Sequence, residues 1–377
     1  MRKQILITGL ALWALAGIPA EVAGQTVSTG LLPNPHRGVT QVGTRGANFT
    51  RIGATARARA LGDAGAALVD EPAGAIFYNP AAAAMADGFD VSGSWTDLYG
   101  EHGVQHSHIG MVMPIGFSGF ALQMISFNSG LITPTREWTP YGFDLLLGNY
   151  MEWTSTSIGL SFARRITDRL AMGVTGKFLQ EGLELASAEW VAADLGAIFQ
   201  TGVYGLNMGV SVLNIGGASR FEGPMIYGAV DPRFRVFEDK ILGRHLYFRH
   251  TTEDVQLPTM LRMALQTELL GAPYSVLGGA GGPHMLNALV EVNDAFDMDI
   301  EGRVGLEYSF NDVLFLRGGK HFQNEDRAPW DLMDGFSMGA GLRVPMLGRT
   351  FGIDYAYSAV GILGNIQAIS VRMGDVF

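Results

Sequence analysis

No cysteine occurs among the 377 residues of this chain. That excludes a disulfide framework, a thiolate metal site, a thiol nucleophile and a lipid-anchoring cysteine behind a signal sequence. Charge is scarce as well. Asp, Glu, Lys and Arg make up 16% of the chain and leave a net charge of −10. An acidic balance argues against nucleic acid as a partner, because phosphate backbones are held by basic patches. Beyond the first residues no apolar run reaches the ~18 residues that a spanning helix needs. No H-E-x-x-H or G-x-S-x-G motif pairs a nucleophile or a metal with a base. The expectation is a protein that is not an enzyme and carries no metal or cofactor.

What is present begins with an export signal. Arg2 and Lys3 form a positive start, Ile5 to Ala20 an apolar core, and Val22-Ala23-Gly24 a small-residue cleavage site. Residues 1–24 read as a signal peptide, with the mature chain starting at Gln25. The other reading, a membrane anchor, suits the short apolar core less well.

The rest of the chain alternates with period two. In "TSTSIGLSFA", Ile158, Leu160 and Phe162 share one face, and Ser155, Ser157 and Ser161 the other. In "YGLNMGVSV", Tyr204, Leu206, Met208, Val210 and Val212 oppose Gly205, Asn207, Gly209 and Ser211. In "IEGRVGLEYSF", Val304, Leu306, Tyr308 and Phe310 oppose Glu301, Arg303, Gly305 and Glu307. Successive side chains of a strand point to opposite faces, so each segment has one apolar and one wet face.

A soluble sandwich would also alternate, but its polar face would be rich in Lys and Glu. Here that face is mostly Gly, Ser and Ala, with isolated charges of both signs. Lys177, Asp194, Arg262, Glu301, Arg303, Glu307 and Arg317 are the candidate lumen-lining residues. The segments are also close to the ~9–11 residues with which a tilted strand crosses a bilayer. The reading is an all-β, antiparallel transmembrane barrel in contact with outer-membrane lipid.

Fourteen segments are expected, near 89–98, 104–113, 117–127, 153–166, 169–180, 189–199, 203–214, 258–269, 286–293, 299–310, 313–321, 335–344, 350–358 and 366–377. Short connectors, such as Thr167-Asp168 and Asn311-Asp312, alternate with long ones at 128–152, 215–257 and 322–334. The connector 270–285 is long where a short one is due. The last segment ends on Phe377. Resemblance to outer-membrane barrels implies that a terminal aromatic is read by their assembly machinery. The division is residues 25–88 as an N-terminal segment and 89–377 as the barrel.

Several stretches, taken in order, resemble the PorV/PorQ family of outer-membrane proteins within the wider FadL-type transporter fold. They are "ARARALGDAGAALVDEPAGAIFYNPAAAA" (56–84), "GVSVLNIGG" (209–217), "LPTMLRMALQTEL" (257–269), "VEVND" (290–294), "VGLEYSF" (304–310) and "LRGG" (316–319). The resemblance implies a fourteen-stranded barrel with an N-terminal segment folded into the lumen as a plug. Asn79 can cap a helix that opens with Pro80, and the alanines after it are strong helix formers. Ile76, Phe77 and Tyr78 precede that helix, and with Asn79 and Pro80 they are the plug candidates. The alternative is an ordinary helix packed outside or below the barrel.

Family members divide in function. PorV-like members serve type IX secretion by binding the C-terminal signal domains of exported proteins. FadL-like members admit hydrophobic small molecules such as long-chain fatty acids. The closer resemblance implies docking or passing of exported proteins. Long loops rich in aromatics suit it: Trp138, Tyr141, Phe143, Phe221, Tyr227 and Phe237 are the docking candidates. A self-packed cap of interfacial aromatics is the other reading of these loops. A hydrophobic transporter is the alternative function, and it needs an apolar path past Ile76, Phe77 and Tyr78. A purely structural barrel is a third.

His106 and His108 share a strand face, which suits either a metal pair or lumenal polar residues. Asp297, Asp299 and Glu301 suit either calcium or a solvated strand end. "GGAGGPH" (278–284) lacks the strand-to-helix context and the Lys of a phosphate loop.

Overall fold

The computed structural model describes residues 43–133, 150–183, 186–224, 227–230, 246–271, 275–278, 282–322 and 335–375. Sixteen strands follow one another: β1 (Asp90–Leu98), β2 (Val104–Ile115), β3 (Ser118–Asn128), β4 (Trp153–Arg165), β5 (Leu170–Leu183), β6 (Ala186–Gln200), β7 (Asn207–Gly216), β8 (Tyr227–Val230), β9 (Leu246–Arg249), β10 (Met260–Leu270), β11 (His284–Ala295), β12 (Glu301–Phe310), β13 (Leu314–Phe322), β14 (Phe336–Met346), β15 (Arg349–Ala359) and β16 (Asn365–Asp375). All but β8 and β9 form one closed antiparallel barrel of fourteen strands, which β1 completes by pairing with both β2 and β16. β8 and β9 form a separate two-stranded sheet inside the 215–257 connector. The sequence pattern gives that stretch only as a long connector.

The period-two pattern sorts the wall into two faces. Leu160 is 67% exposed and its neighbour Ser161 only 4%. A soluble barrel would bury the leucine. Here the apolar face looks outward and the small, polar face looks into the lumen, the arrangement a lipid solvent demands. The turn between β12 and β13 shows how tightly one end is made. Asn311 and Asp312 both have φ 54, a left-handed pair that Asn and Asp tolerate and that matches the twist of a hairpin. In barrels of this class short turns face the periplasm and long loops the outside. The long 271–283 connector joins the periplasmic ends of β10 and β11, and its described residues contain no strand.

The lumen is filled by the chain itself. At the outer end Gly46 donates its N–H to the Gln256 carbonyl at 2.9 Å. At the periplasmic end Phe89 donates its N–H to Asp375 at 2.9 Å. Between them the chain forms short helical turns, Ala56–Ala60, Pro72–Ala75 and Pro80–Met85, whose residues are all buried. Asn79 is extended, and its Oδ1 accepts from the Ala81 N–H at 3.1 Å. The helix that follows is a 3-10 turn of Pro and Ala, and it lies inside the barrel against β4 and β5.

Candidate functional site

The plug meets the wall where the wall has no side chains. A Cβ at Gly119 would stand 1.9 Å from the Ala83 carbonyl oxygen, and one at Gly209 would stand 2.0 Å from that of Ala66. Only glycine allows two backbones so close. Asn79 joins the two from the plug side. Its amide donates to the carbonyls of Ala66 at 2.9 Å and Ala197 at 3.0 Å. Ser211 Oγ donates to the Tyr78 carbonyl at 2.7 Å. Ile76, Phe77 and Tyr78 are buried in the apolar core that forms between plug and wall.

On β11 to β16 the contact is made by charge. Arg57 of the plug donates to both oxygens of Glu307, at 2.8 and 2.7 Å, and also to Asp70 at 2.8 Å. Arg317 donates to Glu307 at 2.6 Å and pairs with Asp354. Glu71 of the plug receives Arg343 at 3.0 Å and lies 3.9 Å from Arg372, which itself holds Asp90 at 2.8 Å. A second group forms around Glu291. It accepts the N–H groups of Gly65 and Ala66 at 2.8 and 2.9 Å and pairs with Arg262 at 3.1 Å and Arg303 at 3.3 Å. Arg303 also reaches Glu301 at 3.0 Å and Asp63 at 3.4 Å. Arg262 stacks over the Tyr78 ring at 5.2 Å. Buried charges are costly unless paired and hydrogen-bonded, and these arginines are paired.

Lys177 and Asp194 pair with each other at 2.5 Å. They sit where β6 and β7 lose register between Ala193 and Leu195. Asn214, with φ 59, occupies the resulting bulge. Its N–H donates to Asp194 at 2.7 Å, its amide donates to Thr50 of the plug at 3.0 Å, and its Oδ1 accepts from Lys177 at 3.3 Å. All seven lumen candidates read from the sequence face inward and are buried. Arg57, Asp63, Glu71, Asn214 and Glu291 were not among them. Parity could have found Glu291, which shares a face with Asn293 opposite Val290 and Val292.

The inner face of β1 to β4 differs. Ser94, Thr96, His106, His108, Gln123 and Ser155 are buried there; the Ser94, Thr96, His106 and Ser155 side chains make no hydrogen bond within the protein. His108 meets the edge of Phe77 at 5.8 Å. The register places Ser94 beside His108 and Thr96 beside His106. Among the described residues no three His, Asp or Glu gather as a metal site. Asp297 pairs with Arg51, and Glu301 with Arg303.

Packing ties the plug to the wall at the outer mouth. Glu181 accepts from the Ala47 N–H at 2.5 Å and from Trp153 Nε1 at 3.0 Å. Phe221 lies 5.7 Å from the Trp153 ring and 6.3 Å from that of Trp190, so this docking candidate is tucked against the mouth. Outside the membrane, the hydrogen bond from Arg220 holds the Asp254 carboxyl below its ordinary range. Tyr227 is described by its backbone alone, at the start of β8; Trp138, Tyr141, Phe143 and Phe237 lie outside the described residues.

No protein-family model and no curated protein matches the chain. Solved structures do. A deltaS2S3 mutant of the monoaromatic hydrocarbon channel TodX is 13% identical, covering 86% of this chain and 99% of that one, with a TM-score of 0.53. The toluene transporter TbuX of Ralstonia pickettii is 12% identical over 85% of this chain and 97% of its own, at 0.52. A FadL homologue of Pseudomonas aeruginosa is 11% identical over 85% and 98%, at 0.51. At such identities the likeness is one of fold: the chain has the architecture of the FadL-type outer-membrane transporters.

Proposed function

We propose that this barrel passes small hydrophobic molecules through the outer membrane, and that its plug must shift for them to pass. The observation that carries the reading is a barrel of hydrocarbon-channel architecture whose lumen is filled by a separately seated segment. Ile76, Phe77 and Tyr78 are fully packed, and β1 to β5 pair without a register shift. A molecule crossing the lumen therefore has to displace plug contacts. The polar strip of Ser94, Thr96, His106 and His108 beside Phe77 gives it a surface to follow.

A disulfide between plug and wall tests this. Ala56 donates its N–H to Ser370 Oγ at 2.7 Å, which brings the two backbones within the reach of a disulfide. In a chain without cysteine, Ala56→Cys with Ser370→Cys forms one defined bond. Uptake of labelled toluene or a labelled fatty acid should stop when the bond is oxidised and return on reduction. Uptake that ignores the bond sinks the moving plug, and uptake unchanged by deleting the gene sinks transport itself.

The shift-free pairing of β1 to β5 also supports the second reading, docking of exported proteins with C-terminal signal domains at the outer mouth. That reading predicts that the deletion strain loses a set of surface proteins while uptake is untouched.

A further inference from the structure

Outside the barrel, β2 to β5 carry a groove of about 430 Å³ in the lipid-facing wall. Met113, Phe120, Leu160, Phe162 and Val174 line it, with the Phe120 and Phe162 rings 5.1 Å apart. Its floor is Gly176, where an added Cβ would meet nothing within 4 Å. One register row further toward the middle of the membrane, Ile158 and Phe178 stand side by side and close the groove.

Its other end is charged. Arg164 follows Leu160 and Phe162 on the same outward face and is exposed, while Arg165 turns inward to the Ala84 carbonyl. Arg164 makes no hydrogen bond or ion pair among the described residues. Its cross-strand partners are Ser118 and Met172, beside the periplasmic turns. From Arg164 to Ile158 is about 20 Å of strand at roughly 3.4 Å per residue. At a tilt of about 40° that is roughly 15 Å of depth, half of a ~30 Å hydrocarbon core.

We infer that this groove holds one acyl chain of an anionic glycerophospholipid from the periplasmic leaflet, with the lipid phosphate on Arg164. The trough is lined by apolar side chains in the periplasmic half of the wall, and Arg164 stands one outward-facing row beyond it. The free guanidinium stands at headgroup depth, where it can form the charge-assisted, bidentate contact that phosphate favours. The inference does not depend on what the lumen transports.

Native mass spectrometry of the full chain in mild detergent, with phosphatidylglycerol added, tests it. The wild type should retain one lipid. Gly176→Trp, which fills the trough, and Arg164→Gln, which removes the charge, should each lower the retained fraction about tenfold, the scale of one charged hydrogen bond. Leu306→Trp, on the lipid-facing side of β12, should leave it unchanged. Heat-modified gel mobility checks that each variant is folded, and Gly176→Leu serves if the Trp variant is not. Equal retention by all variants overturns the inference. So does retention that responds to Gly176 but not to Arg164, or a second copy of the chain in place of the lipid.

Discussion

The two halves of the lumen hold the same plug by different physics. Both contain glycines that let the backbones meet. On β3 to β7, however, the plug is seated mainly by shape: glycines against carbonyls, and alanines against small wall residues. On β11 to β16, buried arginines and carboxylates join plug and wall. The difference matters once water enters. Shape complementarity between apolar surfaces gains nothing from hydration, whereas an ion pair loses little overall when both partners are solvated again. On the proposed transport reading, the charged half is the seam along which the plug parts from the wall, and the glycine half is the side on which it stays.

The largest expected effect breaks that seam from one side. Arg57→Ala leaves Glu307 buried with Arg317 as its remaining partner, and should cost about 3–5 kcal/mol in urea unfolding, with faster proteolysis of the plug. Next comes the glycine half. Gly119→Ala or Gly209→Ala pushes a methyl group into a carbonyl and should cost about 1–3 kcal/mol, with the barrel still formed. If these exceeded Arg57→Ala, the contrast drawn here would be reversed. Smallest is Arg220→Ala, which removes an ion pair with Asp254 that lies exposed outside the lumen. Unfolding should be unchanged, which would show that burial gives the Arg57 pair its weight.

The wall was legible because lipid outside and plug inside impose opposite demands on alternate residues. "TSTSIGLSFA" can satisfy both only as a wall strand, so strand positions and facing followed from parity. The β8–β9 hairpin was not legible, since its four-residue strands are shorter than any reliable alternation. The bulge at Asn214 was hidden too, because one extra residue breaks parity only locally. The lumenal charges were legible as a set, but not as pairs. Lys177 meets Asp194 only through the β5–β6 register, and Arg57 meets Glu307 only because the plug lies against β12. "ARARA" speaks for a helix, yet its Arg57 meets Glu307, 250 residues away in the chain, while Arg59 donates to the nearby Gly53 carbonyl.

The course of the plug has a consequence for assembly. Its described residues run the whole length of the lumen, outer end to periplasmic end, and β1 follows directly. The ring is completed only when β16 pairs with β1. A segment that passes through a ring must either be drawn through the finished hole or be lying in place when the ring shuts. The second course requires no threading past fourteen strands of packed wall. On that second course the β1–β16 seam shuts around a plug already lying in place.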